Sequence, residues 1–198
     1  MTPTLQALGP ATGRRALARQ AALVLGGTAL IALAAQVSVP FFPVPMTLQT
    51  MAILLVGFAL GARLGAITLA AYLAQGAMGL PVFANGASTL ALAGPTAGFL
   101  IGFVGMAWLA GLAAERLRGP VALSLAALAI SLLLYVPGLA WPMAVSQAFG
   151  LTVWGAGEPV AAVLGAYMLP FLPGDAVKAV LAALVASGGF AWLRRRGA

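Results

Sequence analysis

The sequence predicts an all-α integral membrane protein with six transmembrane helices. Three observations carry this reading. Of 198 residues, 63% are hydrophobic and only 7% are charged, against about 25% charged in an ordinary soluble domain. The length accommodates roughly six apolar stretches of about 20 residues. The formal charge of +7 is not one patch: the basic residues sit near the chain ends and in short connections. That distribution is the positive-inside pattern of a membrane protein and argues against nucleic acid as a partner.

Taken in order, residues 1–13 form a short polar tail containing Pro and Gly, predicted to be disordered, and residues 14–198 form a single membrane domain. Arg14, Arg15 and Arg19 precede a first span over 20–39. This start resembles a signal peptide, but the apolar run is long enough to span and ends in Val39-Pro40 rather than at a small-residue cleavage site. Three prolines in 40–45 exclude regular helix there. A second span is predicted over 46–61 and a third over 64–79. The connection 80–95 is rich in Gly, Pro and small polar residues and carries no charge. Such backbone survives at membrane depth only where protein buries it or where it lines a cavity. The fourth span covers 96–114 and the fifth 121–139. Residues 140–157, with Trp141, Trp154 and three glycines, read as a re-entrant or interfacial segment. A short helix over 159–169 follows, with Glu158 as its cap, and the sixth span covers 175–193 with Asp175 as N-cap.

With six spans, one side of the membrane receives both termini and the second–third and fourth–fifth connections. That side holds Arg14, Arg15, Arg19, Arg63, Arg116, Arg118, Arg194, Arg195 and Arg196, nine of the ten basic residues; the other holds only Lys178. The arginine side is expected to be cytoplasmic, with both termini, in a bacterial inner membrane. The proline-rich loop, the glycine-rich loop and the turn before the last span then all face outward.

The chain has no His and no Cys, and Asp175 is its one aspartate. This excludes Ser-His and Cys-His catalysis, the usual zinc sites, a disulfide framework and an aspartyl dyad. No Walker-type motif is present. The expectation is a non-enzyme without cofactor. In the stretch PFLPGDAVK (170–178), Asp175 and Lys178 lie one helical turn apart. They read either as an ion pair closing a helix end or as the polar pole of a ligand site, since intramembrane charges are costly unless paired or used. Asn85, Ser88 and Thr89 in the glycine-rich loop are candidate ligand contacts, with turn geometry as the alternative for Asn85. Thr96 reads as a helix cap. Gln36, Gln49 and Gln75 read first as interhelical hydrogen bonders, and Gln49 also as a ligand contact. Tyr72 reads as core or as a ring stacked on a ligand.

VPMTLQTMAILLVG (44–57), GARLGAITLAAYLAQGAMGLPVFA (61–84), GPTAGFLIGF (94–103) and PFLPGDAVKAVLAAL (170–184) together resemble the BioY family. These are the biotin-specific S components of energy-coupling-factor (ECF) transporters. The resemblance implies a six-helix S-component fold and high-affinity biotin capture at an outward-facing site. It also implies an ECF transmembrane subunit and two ATPase subunits as partners, and it leaves association with a second copy open. It places Asp175 and Lys178, and Asn85 of the third loop, on the ureido ring. The resemblance also implies contact with the membrane partner through small residues of the first helix, for which Ala22 and Gly26, and Thr28 and Ala32, are the matching pairs, with packing within the monomer as the alternative. The chain departs from the pattern in reading GPTAG for GPTGG and in lacking an outward arginine for the biotin carboxylate. The alternatives at this stage are an S component for another small vitamin, or a small channel or structural subunit.

Overall fold

A computed structural model describes the backbone of residues 13–196 and the side chains of residues 13–189. The tail predicted over 1–13 lies, apart from Gly13, outside the described residues, as do the side chains of Arg194, Arg195 and Arg196. The elements are α1 (Arg14–Gln36), β1 (Ser38–Val39), β2 (Met46–Thr47), α2 (Gln49–Ala77), α3 (Ala97–Arg116), α4 (Pro120–Leu133), α5 (Tyr135–Ala140), α6 (Ser146–Ala148), α7 (Val160–Tyr167) and α8 (Leu172–Arg196). Single helical turns at Ala84–Gly86 and Thr89–Leu92 interrupt the loop between α2 and α3.

Among the described residues, five helical stretches are long and apolar enough to cross a membrane: Arg14–Gln36, Gln49–Ala77, Ala97–Arg116, Pro120–Ala148 and Leu172–Gly189. The second is a hairpin. At Gly61 the backbone takes φ 78° and ψ 174°, a region essentially restricted to glycine. On either side of it, Gln49 Nε2 donates to Tyr72 Oη at 2.7 Å. In a straight helix those residues would stand about 34 Å apart. The arms 49–60 and 62–77 therefore run antiparallel and supply the second and third predicted spans, for six in all. Each arm is shorter than the roughly 20 residues of a straight span.

Small residues set how closely the helices approach. A Cβ on Gly57 would lie 2.6 Å from the Ala107 carbonyl oxygen, and one on Gly111 would lie 2.1 Å from the Ala62 nitrogen. So α3 seats in the crotch of the hairpin. There Glu115 Oε1 accepts a 2.8 Å bond from the Ala62 N–H, capping the second arm. Gly27 of α1 packs on Thr68. Buried Ala127 of α4 and Ala179, Ala182, Ala183 and Ala186 of α8 belong to the same core.

The structure corrects three local expectations. Residues 140–148 are not a separate irregular segment: helix continues through Pro137 to Ala148, with one wide π turn at Trp141–Val145, and only 149–157 is irregular. Pro137 and Pro142 each remove a donor, and such irregular turns accommodate the loss. Trp141 is buried and donates from Nε1 to the Gly94 carbonyl at 2.9 Å, so it is a core anchor rather than an interfacial one. The last helix begins at Leu172, not Asp175, because Pro173 falls in its first turn, where a missing N–H costs nothing. Asp175 is thus inside the helix, its N–H bonded to the Phe171 carbonyl at 2.8 Å. Glu158 does not cap α7: Pro159 holds the cap position, no side chain bonds there, and Glu158 is exposed.

Gly61→Ala is expected to destabilise the protein by about 1–3 kcal/mol, the usual cost of holding a side chain in such a region. Gly105→Ala, on an open part of α3 with nothing within 4 Å of the added Cβ, is expected to match or exceed wild type. Melting temperatures of the detergent-solubilised proteins check both, and a Gly61→Ala protein as stable as wild type would contradict the hairpin geometry.

Candidate functional site

At the end of the bundle away from Gly61 lies a cavity of about 300 Å³. Its wall is built from β2 and the start of α2, the loop 83–91, α3, the α4–α5 junction, Tyr167 of α7 and the start of α8. Phe83, Phe99, Phe103, Tyr135, Tyr167 and Phe171 give it aromatic faces. Tyr167 and Phe99 lie almost parallel at 6.4 Å between centroids, and Tyr135 meets Phe99 edge-on at 5.9 Å. Such contacts hold flat walls at fixed positions. Burial pushes the Tyr167 hydroxyl up to about 12, so it remains a donor, here to the Trp154 carbonyl at 2.6 Å.

The polar groups gather at one pole. Lys178 Nζ stands 2.6 Å from Asp175 Oδ1, the two side chains only 9% and 12% exposed. Tyr135 donates to the other carboxylate oxygen, Oδ2, at 2.5 Å. Lys178 also donates to the Thr47 carbonyl at 3.1 Å. Each charge is therefore paired and hydrogen-bonded, the condition under which a buried pair is tolerated. The pairing leaves capacity. A carboxylate offers about four lone-pair sites and an ammonium three protons. Two partners on Asp175 and two on Lys178 leave both able to bind something more.

Over the cavity, the loop after α2 is pinned by side chains. Phe83 fills the space left by Gly76, where a Cβ would lie 2.0 Å from Phe83 Cζ. Gln36, at the end of α1, donates to the Phe83 carbonyl at 3.0 Å and accepts from the Gly86 N–H at 3.0 Å. Asn85 occupies the left-handed region at φ 58° and accepts from Ser38 Oγ at 2.7 Å. That bond uses Oδ1 and leaves the Asn85 amide N–H groups at the wall.

Of the site residues read from sequence, Asp175, Lys178, Asn85 and Gln49 line this cavity together. Tyr72 does not; it stands behind Gln49, accepting from it and donating to the Val82 carbonyl at 2.7 Å. Thr89 turns away to the Gly76 and Ala77 carbonyls at the end of α2, and Ser88 is not on the wall. Thr96 lines the cavity and makes no capping bond to α3. On α1, Ala22 and Gly26 are exposed, whereas Thr28 is buried and accepts from Gln75 Nε2 at 3.3 Å, and Ala32 is half-buried against the core. Tyr135 escaped the sequence reading. Its signal was a single phenol in an aliphatic run two residues before Pro137.

Residues 5–195 match the profile of the BioY family. The chain belongs to the BioY family. It is 38% identical over 154 residues to the biotin transporter BioY of Rhizobium etli, covering 75% of this chain and 79% of that one. The biotin transporter BioY of Rhodobacter capsulatus is 40% identical over 156 residues, 73% of this chain and 78% of that one. In three dimensions the chain resembles the crystal structure of the S-component for biotin from an ECF-type ABC transporter, with a TM-score of 0.73. That match covers 93% of this chain and 95% of the other at 24% identity. The six-helix S-component architecture is thus the fold of this BioY chain.

Proposed function

We propose that this chain is the biotin-binding membrane subunit, the S component, of an ECF-type vitamin transporter, and not an enzyme. The observation that carries the reading is the Asp175–Lys178 pair at the polar pole of an aromatic cavity. Biotin brings a ureido group with two N–H donors and one acceptor, an apolar bicycle and a flexible acid tail. The spare acceptor sites of Asp175 take ureido N–H groups, Lys178 and Asn85 add donors, and the aromatic wall sheathes the bicycle. A cavity of about 300 Å³ lies at the small end of ligand sites, suited to a vitamin rather than a peptide.

Asp175→Asn keeps the side chain's size but loses the charged acceptor. Hydrogen bonds to charged groups contribute about 1.5–3 kcal/mol, so biotin affinity is expected to fall on the order of 10- to 100-fold. The substitution also strands the Lys178 ammonium, so stability falls with it. Adding Lys178→Met removes the stranded charge and should return the melting temperature towards wild type without restoring binding. Calorimetric titration with biotin beside thermal melts of all three proteins decides the matter. A double variant that binds biotin as wild type does would reduce the pair to an internal ion pair.

The cavity and the start of α8 lie at the end of the bundle opposite the Gly61 turn, which packs against Gly111 and Glu115 near the end of α3. With Arg63, Arg116 and Arg118 at that far end, the cavity faces outward and both termini are cytoplasmic, in the inner membrane. A tag inserted between Gly86 and Ser88 should label in intact cells, and a C-terminal tag only after permeabilisation. The reverse pattern would invert the topology.

The outer face of α1 is proposed to meet the ECF transmembrane subunit, which couples two ATPases to this one. Ala22 and Gly26 present that face, and Thr28 and Ala32, turned inward, support it from behind. Gly26→Leu, where an added Cβ meets nothing within 4 Å, is expected to cut biotin uptake by cells several-fold with calorimetric affinity unchanged. Normal uptake would place the partner elsewhere.

A further inference from the structure

Among the described residues on the cavity wall, Lys178 is the one cation, and Asp175 already neutralises it at 2.6 Å. The segments at this end of the bundle offer no second one. Residues 37–48 and 78–96 contain no charged side chain, and 134–171 contain only Glu158, an exposed carboxylate. Residues 1–12 contain no Lys or Arg. The arginines all lie elsewhere. Arg63, Arg116 and Arg118 are near the Gly61 turn, Arg14, Arg15 and Arg19 are in the first two turns of α1, and Arg194, Arg195 and Arg196 are in the last turn of α8. Biotin carries its one charge on the acid tail, and two places are open to that carboxylate. At the pole it would add a negative ion to a pair that is already neutral and about nine-tenths buried, a desolvation cost that no further cation there offsets. Towards the surface it keeps its hydration. The cavity is open rather than enclosed, and Asn85, in the loop 83–91, is the one exposed residue of its wall.

We infer that the site recognises the ureido ring and leaves the acid tail in water beside the loop 83–91, so that its substrate class is biotin together with carboxyl-linked biotin amides. This rests on the reading of the cavity as a biotin site. The ring brings the two donors and one acceptor that match the spare capacity of Asp175 and Lys178. The tail brings an end group that meets no cation. Converting the carboxylate to an amide removes a charge that the protein does not hold, and a group attached beyond the amide extends into solvent.

Calorimetry on the purified wild-type protein with three ligands tests this. They are biotin, biotinamide, whose carboxylate is replaced by a neutral primary amide, and biotinyl-lysine, whose tail is lengthened through an amide. Both amides are expected to bind within about 3-fold of biotin. Biotin affinity is also expected to change less than about 3-fold between roughly 0.05 and 0.5 M salt, because no exposed ion pair holds the tail. A carboxylate held by a buried cation would instead lose on the order of 30-fold or more in biotinamide. A loss beyond about 3-fold on biotinamide, or a comparable loss of biotin affinity in salt, shows an ionic contact with the carboxylate. The same loss on biotinyl-lysine alone shows a closed end to the cavity. Any of these overturns the inference, while tight binding of biotin in the same titrations leaves the biotin site standing. A wild-type protein that binds neither biotin nor its amides overturns the underlying reading instead.

Discussion

An ammonium and a carboxylate 2.6 Å apart, each about nine-tenths buried at the end of a membrane helix bundle away from Gly61, constrain everything around them. Removing one partner from such a pair leaves an uncompensated charge in a low-dielectric site, a cost far above that of an ordinary core substitution. The neighbouring elements are placed to prevent this. The α4–α5 junction brings Tyr135 to Asp175 Oδ2. β2 presents the Thr47 carbonyl to Lys178, and β2 keeps its place through pairing with β1. Helix α8 holds the two charges one turn apart. Three segments distant in sequence converge on one pair of charges, which ties the position of the first loop to that of the last helix.

The same logic governs the irregular loop above the cavity. Backbone that is neither helix nor sheet must find partners for its N–H and C=O groups near the membrane. Here the loop's own backbone turns supply part of them, and side chains from inside and outside the loop supply more. Gln36 spans both the Phe83 carbonyl and the Gly86 N–H, Thr89 covers the last carbonyls of α2, and Trp141 reaches the Gly94 carbonyl. Phe83, wedged against Gly76 and edge-on to Tyr72 at 5.3 Å, fixes the loop's depth. A loop held this way, by its own backbone bonds and by side chains of its neighbours, forms a wall of the cavity.

The spans were legible because hydropathy is a sum over many residues and survives local irregularity. The hairpin was legible at Gly61-Ala62-Arg63, where small residues and an arginine stop an apolar run. What the sequence concealed was decided by tertiary packing. Pro137 and Pro142 read as an ending, yet helix runs past both, because a π turn and contacts with α3 stabilise it. Pro173-Gly174 read as a breaker just before Asp175, yet both belong to the first turn of α8. The charged pole of the site was legible, since one aspartate and one lysine in an apolar chain stand out. Of the neutral groups, Asn85 and Gln49 were legible as polar residues in apolar surroundings, whereas Tyr135 was not, because it matters only through the Asp175 carboxylate that the fold sets beside it. Thr89 and Tyr72 carried the right chemistry for contact and point elsewhere.

The pole is balanced without a ligand and still able to accept one. Were the charges unpaired, the empty site would cost the protein most of its stability. Were their hydrogen-bonding capacity filled, nothing could bind. Two partners on each ion leave about two acceptor sites on Asp175 and one proton on Lys178. The complement of that remainder is a neutral group with two donors and one acceptor, which adds no net charge to a pair already neutral. A charged head group of the same size would bring an unmatched ion into the same buried pole and face the penalty the pair itself avoids. On the proposed reading of this pole as the ligand site, selectivity for an uncharged, donor-rich ring follows from the pairing that stabilises the bundle.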